Sequence, residues 1–503
     1  MISQKTGPVK TFSFDQFTRL FSIIAFISLL FGIKLWLIYT YGNPTPFWDQ
    51  WDGEAANLYA PFLERTLHLK DLFAAHNEHR IFTTRLLALT ELKINGIWNP
   101  ILQMVINAVL HITTLVLIIS LMLKAIGQKF LLPTLAFSLI LFSLPYAYEN
   151  TLAGFQAQFY FSLLFSMTTL WLIVKKPPLS IAWWIGLFSG GLAFFSLASG
   201  IFSIAAATAM GIVFFILKLR RDPAQFLAVS ILICVLILGI LYTPSIPYHI
   251  SLKAHSPQQF FYAFFTILSW PLNNIGINTL FLNLPAIIFI CFILWQRPKA
   301  SDPKWFLLGA IIWACIQSAS IAYGRNANPL APRYLDLYAI LTLINFICLL
   351  SIFDYFKLNR YRLTILSCAI WIILTLIAVA SATQESYGQI QLQYMRGQEQ
   401  QVNTRDYVTT GNMTYLENKS LFSIPYPDAH RLALILNKPS IRSILPQSIA
   451  PSETTKSGRL DSFISQLLAH YWLFLWFGLT SLVLTFFFIL IDHFKTAPPL
   501  PTE

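Results

Sequence analysis

FTRLFSIIAFISLLFGIKLWLIYTY, residues 17–41, decides the class of fold. The run exceeds the ~20 apolar residues a helix needs to cross the hydrocarbon core of a bilayer. It is too long and aromatic for a signal peptide, and no small-residue cleavage site follows. Lys5, Lys10 and Arg19 before it therefore read as a cytoplasmic flank that orients a first span.

Working outward, comparable runs recur near residues 101–123, 130–148, 156–174, 179–197, 200–217, 224–243, 275–295, 305–323, 334–353, 363–382 and 466–491. The pattern predicts an all-α polytopic membrane protein of about 12 transmembrane helices. Composition agrees: 56% of the 503 residues are hydrophobic and 11% charged, with a mean hydropathy of +0.61. The net charge of +12 comes without a basic, aromatic-interleaved stripe, so nucleic acid is not an expected partner. Cys234, Cys291, Cys315, Cys348 and Cys368 all fall inside apolar runs, which argues against a disulfide framework or a zinc site.

With the N-terminus inside, the segments Lys124–Lys129, Lys175–Lys176, Lys218–Arg221, Arg297–Lys304 and Lys357–Arg362 are cytoplasmic, and each is basic. That register places both termini in the cytoplasm. It puts the long loops 42–100, 244–274 and 383–465 on the outer face, where polar chemistry belongs. The organisation expected is a membrane core over 1–382 with a catalytic outer loop at 42–100, a small outer segment or lid at 383–465, and a last span and tail at 466–503. The short runs around Ser199 and Gly200 and the stretch 259–272 are the weakest spans, the latter also fitting an interfacial helix.

Three motifs could carry chemistry. FWDQWDG, residues 47–53, puts Asp49 and Asp52 at the end of the first span with Glu54 next. Clustered carboxylates can supply a general base or hold a divalent cation. The bland reading makes one of them the cap of an amphipathic helix and Trp48 and Trp51 members of the interfacial aromatic belt. AAHNEHRIFTTRLLAL follows, with His76, Glu78, His79, Arg80 and Arg85. On a helix His76 and His79 would face one way and, with Asp52, form a candidate metal set. Alternatively Asn77 caps a helix lying on the membrane and the arginines meet lipid phosphates. YGRNANPLAPRYLDLY, residues 323–338, offers Arg325, Arg333 and Tyr334. Guanidinium groups grip phosphate bidentately, although an Arg333–Asp336 helical pair is the plainer alternative. Lys34 is expected to snorkel outward and His111 to serve as a satisfied interhelical hydrogen-bonding group. Glu149, Tyr248, His249, Lys253 and His255 are lesser candidates.

Together, WDQWDG, HNEHR, and GR followed by RY in a chain of this topology resemble the GT-C superfamily of integral membrane glycosyltransferases. That superfamily includes protein O-mannosyltransferases and aminoarabinose transferases. The Asp-Glu pair and His-Pro-Pro segment of many aminoarabinose-transferase-like members are absent, so the sugar stays open. The resemblance implies a GT-C-like bundle with amphipathic helices in its first outer loop, set in a membrane such as the bacterial inner membrane. It implies inverting transfer of a sugar from a polyprenyl-phosphate donor to a glycan, lipid or protein acceptor outside. Asp49 or Asp52 would be the base, with position leaning to Asp49. Arg325 and Arg333 would meet the leaving phosphate, and Trp48 and Trp51 would stack on sugar or prenyl chain. Glu54, Arg80 and Tyr334 would bind substrate, and His76, Glu78 and His79 would position the donor headgroup or a divalent cation. The competing expectation is a transporter or flippase of a lipid-linked sugar. A non-catalytic envelope scaffold is a third.

Overall fold

The computed structural model describes residues 14–272, 274–356, 361–450 and 456–496. Lys5, Lys10, Lys357, Arg360 and the tail from residue 497 lie outside the described residues. Regular structure among the described residues is helical throughout, and the one β-type pairing is an isolated bridge between His76 and His79. This is the expected solution in lipid, where a helix satisfies its own backbone polar groups. Among the described residues, ten helices are long and apolar enough to cross a membrane, or eleven if the bent pair Gln128–Ser143 and Pro145–Thr151 is a single span. The chain is an integral membrane protein.

The count falls short of twelve for local reasons. The run expected at 179–197 forms only Ile181–Phe194, about 21 Å of helix against a core of about 30 Å. It ends because the chain doubles back through Ala198–Ile201, where a Cβ on Gly200 would lie 2.1 Å from the Ala193 carbonyl oxygen. Only glycine permits that approach. The stretch 259–272 yields the short helix Pro257–Leu268, with Phe261, Tyr262 and Phe265 exposed, as an interfacial helix requires. The span expected at 363–382 does not stop there: Tyr361–Thr410 is one continuous helix of 50 residues that carries the chain rigidly into the 383–465 segment. The final span begins at Tyr471, after a separate helix Asp461–Ala469.

Several starts follow one rule, an acceptor side chain followed by proline. Asn99, Asp222 and Ser256 each cap the helix that opens at the next residue, accepting the backbone N–H of Leu102, Gln225 and Gln259.

The two ends of the bundle differ in chemistry. At one, the basic segments meet: Lys129 pairs with Asp354, Lys175 donates to the Ser301 carbonyl at 2.6 Å, and Arg220 donates to the carbonyls of Lys176 and Ala300. At the other, the three long loops meet. The Trp48 N–H donates to the Pro425 carbonyl at 2.8 Å, and the Tyr248 hydroxyl to Asn77 Oδ1 at 2.6 Å.

The 42–100 and 383–465 segments share a core of their own, in which Trp51, Leu58, Tyr59 and Trp98 pack with Tyr407, Leu432, Leu436 and Ile441. Each such side chain contributes about 1.5–3 kcal/mol of burial. Two carboxyls are buried in this lobe. Glu54 accepts from Trp98 Nε1 at 2.9 Å, Gln103 at 3.0 Å and Gln50 at 3.2 Å. Burial raises its pKa to about 7 against those donors. Burial, then the charge of Glu54, raises that of Glu91 to about 8.

Both acids ionise near 4.5 when unfolded. Their contribution is therefore complete below that pH and is lost as pH rises through 7 to 8. Glu91→Gln is expected to raise the thermal midpoint of the purified protein by about 3 °C at pH 8, with no gain at pH 4.5. Unfolding scans at the two pH values check this.

Candidate functional site

The FWDQWDG stretch leaves the first helix and turns sharply at Trp48, whose φ of +48° places a bulky side chain in the left-handed region. The turn is held by the Trp48 N–H to Pro425 bond and by a 3.0 Å bond from the Trp51 N–H back to the Trp48 carbonyl. A π-helix, Trp51–Tyr59, follows, a form that recurs at functional sites. Gly53 lets it sit against Phe155 and His76: a Cβ there would be 2.8 Å from the Phe155 ring and 3.3 Å from His76.

The five residues the sequence groups together part company here. Trp48 and Asp49 line a cavity of about 770 Å³. Trp51 is fully buried, donating from Nε1 to the Pro46 carbonyl at 2.9 Å and packing edge-on against Trp98, so it reaches neither an interfacial belt nor a sugar. Asp52 faces the 383–465 segment, where Arg431 donates to its Oδ1 from Nε at 3.1 Å and Nη2 at 2.8 Å, and the Tyr426 hydroxyl bonds its Oδ2. Glu54 belongs to the lobe interior described above.

HNEHR is not helical. His76 and His79 exchange both backbone hydrogen bonds, at 2.8 and 3.0 Å, around Asn77 at φ +52°. A helix begins only at Phe82. The tight turn sends its side chains to different partners. His76 Nε2 stands 3.4 Å from Asp49 Oδ1. His79 Nδ1 accepts the Ala198 N–H at 3.3 Å, which leaves the proton of the neutral ring on Nε2. Burial lowers the His79 pKa to about 4, so that ring is neutral near pH 7.

Glu78 takes a two-pronged bond from Arg325, at 3.2 and 3.0 Å, and a short bond from His249 Nδ1. Burial opposes ionisation of Glu78, but Arg325 and His249 together pull its pKa down to about 2. The arginines of this motif leave the cavity. Arg80 donates to the carbonyls of Phe73 and Tyr242 while stacking 3.7 Å over the Tyr242 ring. Arg85 is buried and donates to the carbonyls of Asp71, Leu72 and Ala74. Both arginines act as backbone staples rather than ligands for lipid phosphate.

The third motif supplies the facing wall. Arg325, Arg333 and Tyr334 line the same cavity, with His249 and Lys253 from the second long loop. Arg333 does not pair with Asp336. Its Nε is 3.9 Å from Glu149 Oε2, and its side chain stays about half exposed. Asp336 instead accepts from Asn150 at 2.9 Å inside the bundle. Lys34 turns inward as well, donating to Thr151 Oγ1 at 3.3 Å, and does not snorkel. His111 stacks on Tyr160 at 4.3 Å with Nε2 4.0 Å from Asp336 Oδ1, and neither ring nitrogen makes a hydrogen bond.

Apolar side chains, among them Leu197, Ile201, Phe202, Ile240, Ile321 and Leu337, make up much of the remaining wall. One chamber thus offers both charged and hydrocarbon-like lining, the chemistry that suits an amphiphile. No protein-family model matches the chain, and no curated protein matches it either. The reading of the site rests on its geometry.

Charge within the chamber is unevenly spent. Arg325 is matched by Glu78, whereas Arg333 has a loose Glu149 contact and stands 5.6 Å over the Tyr334 ring, and Lys253 lies 6.0 Å from the Tyr323 ring. Burial opposes ionisation of Asp49, but the His76 contact and the charge of Arg333 hold its carboxyl below the usual range. Asp49 is therefore an ionised acceptor near pH 7. No group of three or more His, Cys, Asp or Glu side chains able to hold a metal ion occurs among the described residues. Asp52 is committed to Arg431 and so does not join His76 and His79 in a metal set.

Gln156 and Ser199 also line the chamber. Both sit where short helices break inside apolar runs, and nothing in their local sequence marks them. Tyr426 and Arg431 lie more than 370 residues from Asp52 and have no sequence signal either.

Proposed function

We propose that this protein is a membrane glycosyltransferase of the GT-C kind, moving a sugar from a polyprenyl-phosphate donor to an acceptor at the extracytoplasmic face. The observation that carries the reading is the single chamber whose lining combines Asp49, His76 and Arg333 with apolar side chains such as Leu197, Phe202 and Ile240. The prenyl chain lies along Leu197, Phe202 and Ile240, and the phosphate meets Arg333 and Lys253. Arg325, already held by Glu78, serves chiefly to fix that wall.

In the reaction Asp49 takes the proton of the acceptor hydroxyl as its oxygen bonds to the anomeric carbon. The bond from that carbon to the phosphate oxygen breaks, and the lipid phosphate leaves with the electron pair. Attack opposite the leaving group inverts the anomeric centre. Arg333 stabilises the charge that grows on phosphate. His79, neutral with its proton on Nε2, can donate a hydrogen bond without adding charge.

The extracytoplasmic assignment is supported by the gathering of basic segments at the opposite end of the bundle. The test is sugar transfer by the purified protein in liposomes, offered a panel of polyprenyl-phosphate hexoses and pentoses.

One observation favours the competing reading of a lipid-linked-sugar transporter. Lys34, His111 and Asp336 are ionisable residues gathered inside the bundle, where transporters keep such groups. Transport predicts that intact donor changes leaflet with no sugar released.

A further inference from the structure

Resting on the reading above, we propose that the 411–450 segment positions Asp49 through Arg431 and Tyr426. The Asp49 carboxylate has one close partner, His76 at 3.4 Å, and its side chain is about half exposed. Its aim therefore depends on the backbone that carries it. That backbone is gripped on both sides of Asp49 by the same short stretch of the distant segment.

Before Asp49, the Trp48 N–H is tied to the Pro425 carbonyl at 2.8 Å, which holds a left-handed conformation that a non-glycine residue adopts only at a cost. After it, Asp52 is clasped by Arg431 through two nitrogens and by the Tyr426 hydroxyl. Arg431 is itself placed by Asp428, whose carboxylate caps the Ala429–Leu436 helix by accepting the Arg431 N–H at 2.9 Å.

The grip on its far side is anchored. Ser440 donates to Glu64 at 2.7 Å, and the Trp98 N–H bonds the Ile444 carbonyl at 2.9 Å. The clasp also matches the charge of Asp52, keeping a second uncompensated carboxylate away from an anionic donor. Tyr426 and Arg431 are thus positioning residues for the transfer step, and the segment that contains them is a fixed part of the site.

The test compares Arg431→Gln, Tyr426→Phe and Arg431→Lys in liposomes, using whichever polyprenyl-phosphate sugar supports wild-type transfer. Amide hydrogen exchange over residues 47–53 is measured on the same preparations. Arg431→Gln is expected to lower kcat on the order of 10²-fold, the effect of displacing a reacting group by about 1 Å. KM for the donor should stay within about twofold, with faster exchange at residues 48–51. Arg431→Lys, which keeps the charge, should recover most of kcat and restore protection.

If the glutamine and phenylalanine variants match wild type in both readouts, the proposal is overturned. A raised KM with kcat intact also overturns it, because the segment would then be binding substrate. If wild type transfers no sugar, the glycosyltransferase reading fails, and exchange alone then decides whether Arg431 holds the turn.

Discussion

Asp49→Asn is expected to reduce sugar transfer on the order of 10³-fold while leaving the protein folded and the donor bound, because it removes the proton acceptor and little else. The half-exposed side chain makes no contact that holds the fold, so its thermal midpoint should stay near wild type. Asp52→Asn makes a different prediction although it lies only three residues away. It breaks the bond to Arg431 and should resemble Arg431→Gln, with a loss on the order of 10²-fold, the cost of misplacement rather than of lost chemistry. Transfer rates and unfolding scans on the two variants separate the roles that the sequence leaves open.

The second large effect falls on the arginines, which the sequence presents as equals and the structure does not. Arg333→Gln removes a cation that Glu149 neutralises only loosely and should cost on the order of 10²–10³-fold in kcat/KM for the donor, with stability preserved. Arg325→Gln leaves Glu78 with His249 as its remaining partner and withdraws a two-pronged bond between the first loop and the bundle. Its main effect should be on stability, about 3 kcal/mol or more for a half-removed, largely buried pair. Donor kinetics and thermal unfolding of each variant distinguish the two.

Much of this arrangement is legible in the chain because bilayer physics is demanding. Apolar length locates the spans and the basic segments sort their ends, so the meeting of the 42–100, 244–274 and 383–465 loops follows from charge alone. Several residues that line the chamber are marked by the same logic: Trp48, Asp49, His76, Glu78, His79, Arg325, Arg333 and Tyr334 stand out as polar groups at a boundary. What fails is whatever depends on local backbone form or on distant partners.

Spacing of three suggests a helix face for His76 and His79, yet a left-handed Asn77 closes a bridged turn instead. Trp51 reads as an interfacial tryptophan, but a lobe core assembled from residues more than 300 positions away swallows it. The 179–197 run has the composition of a span and is cut short by a glycine contact visible only in three dimensions. Asp52 looks as catalytic as Asp49 until Arg431 is seen beside it.

The most direct test of the central claim follows both products of the reaction at once in liposomes holding the purified protein and a labelled polyprenyl-phosphate sugar. Mass spectrometry of the lipid and acceptor pools is expected to show one free polyprenyl phosphate for each sugar transferred. The new glycosidic bond should have the anomeric configuration opposite to that of the donor. Donor lipid that changes leaflet with its sugar still attached, with no free polyprenyl phosphate formed, would contradict the account.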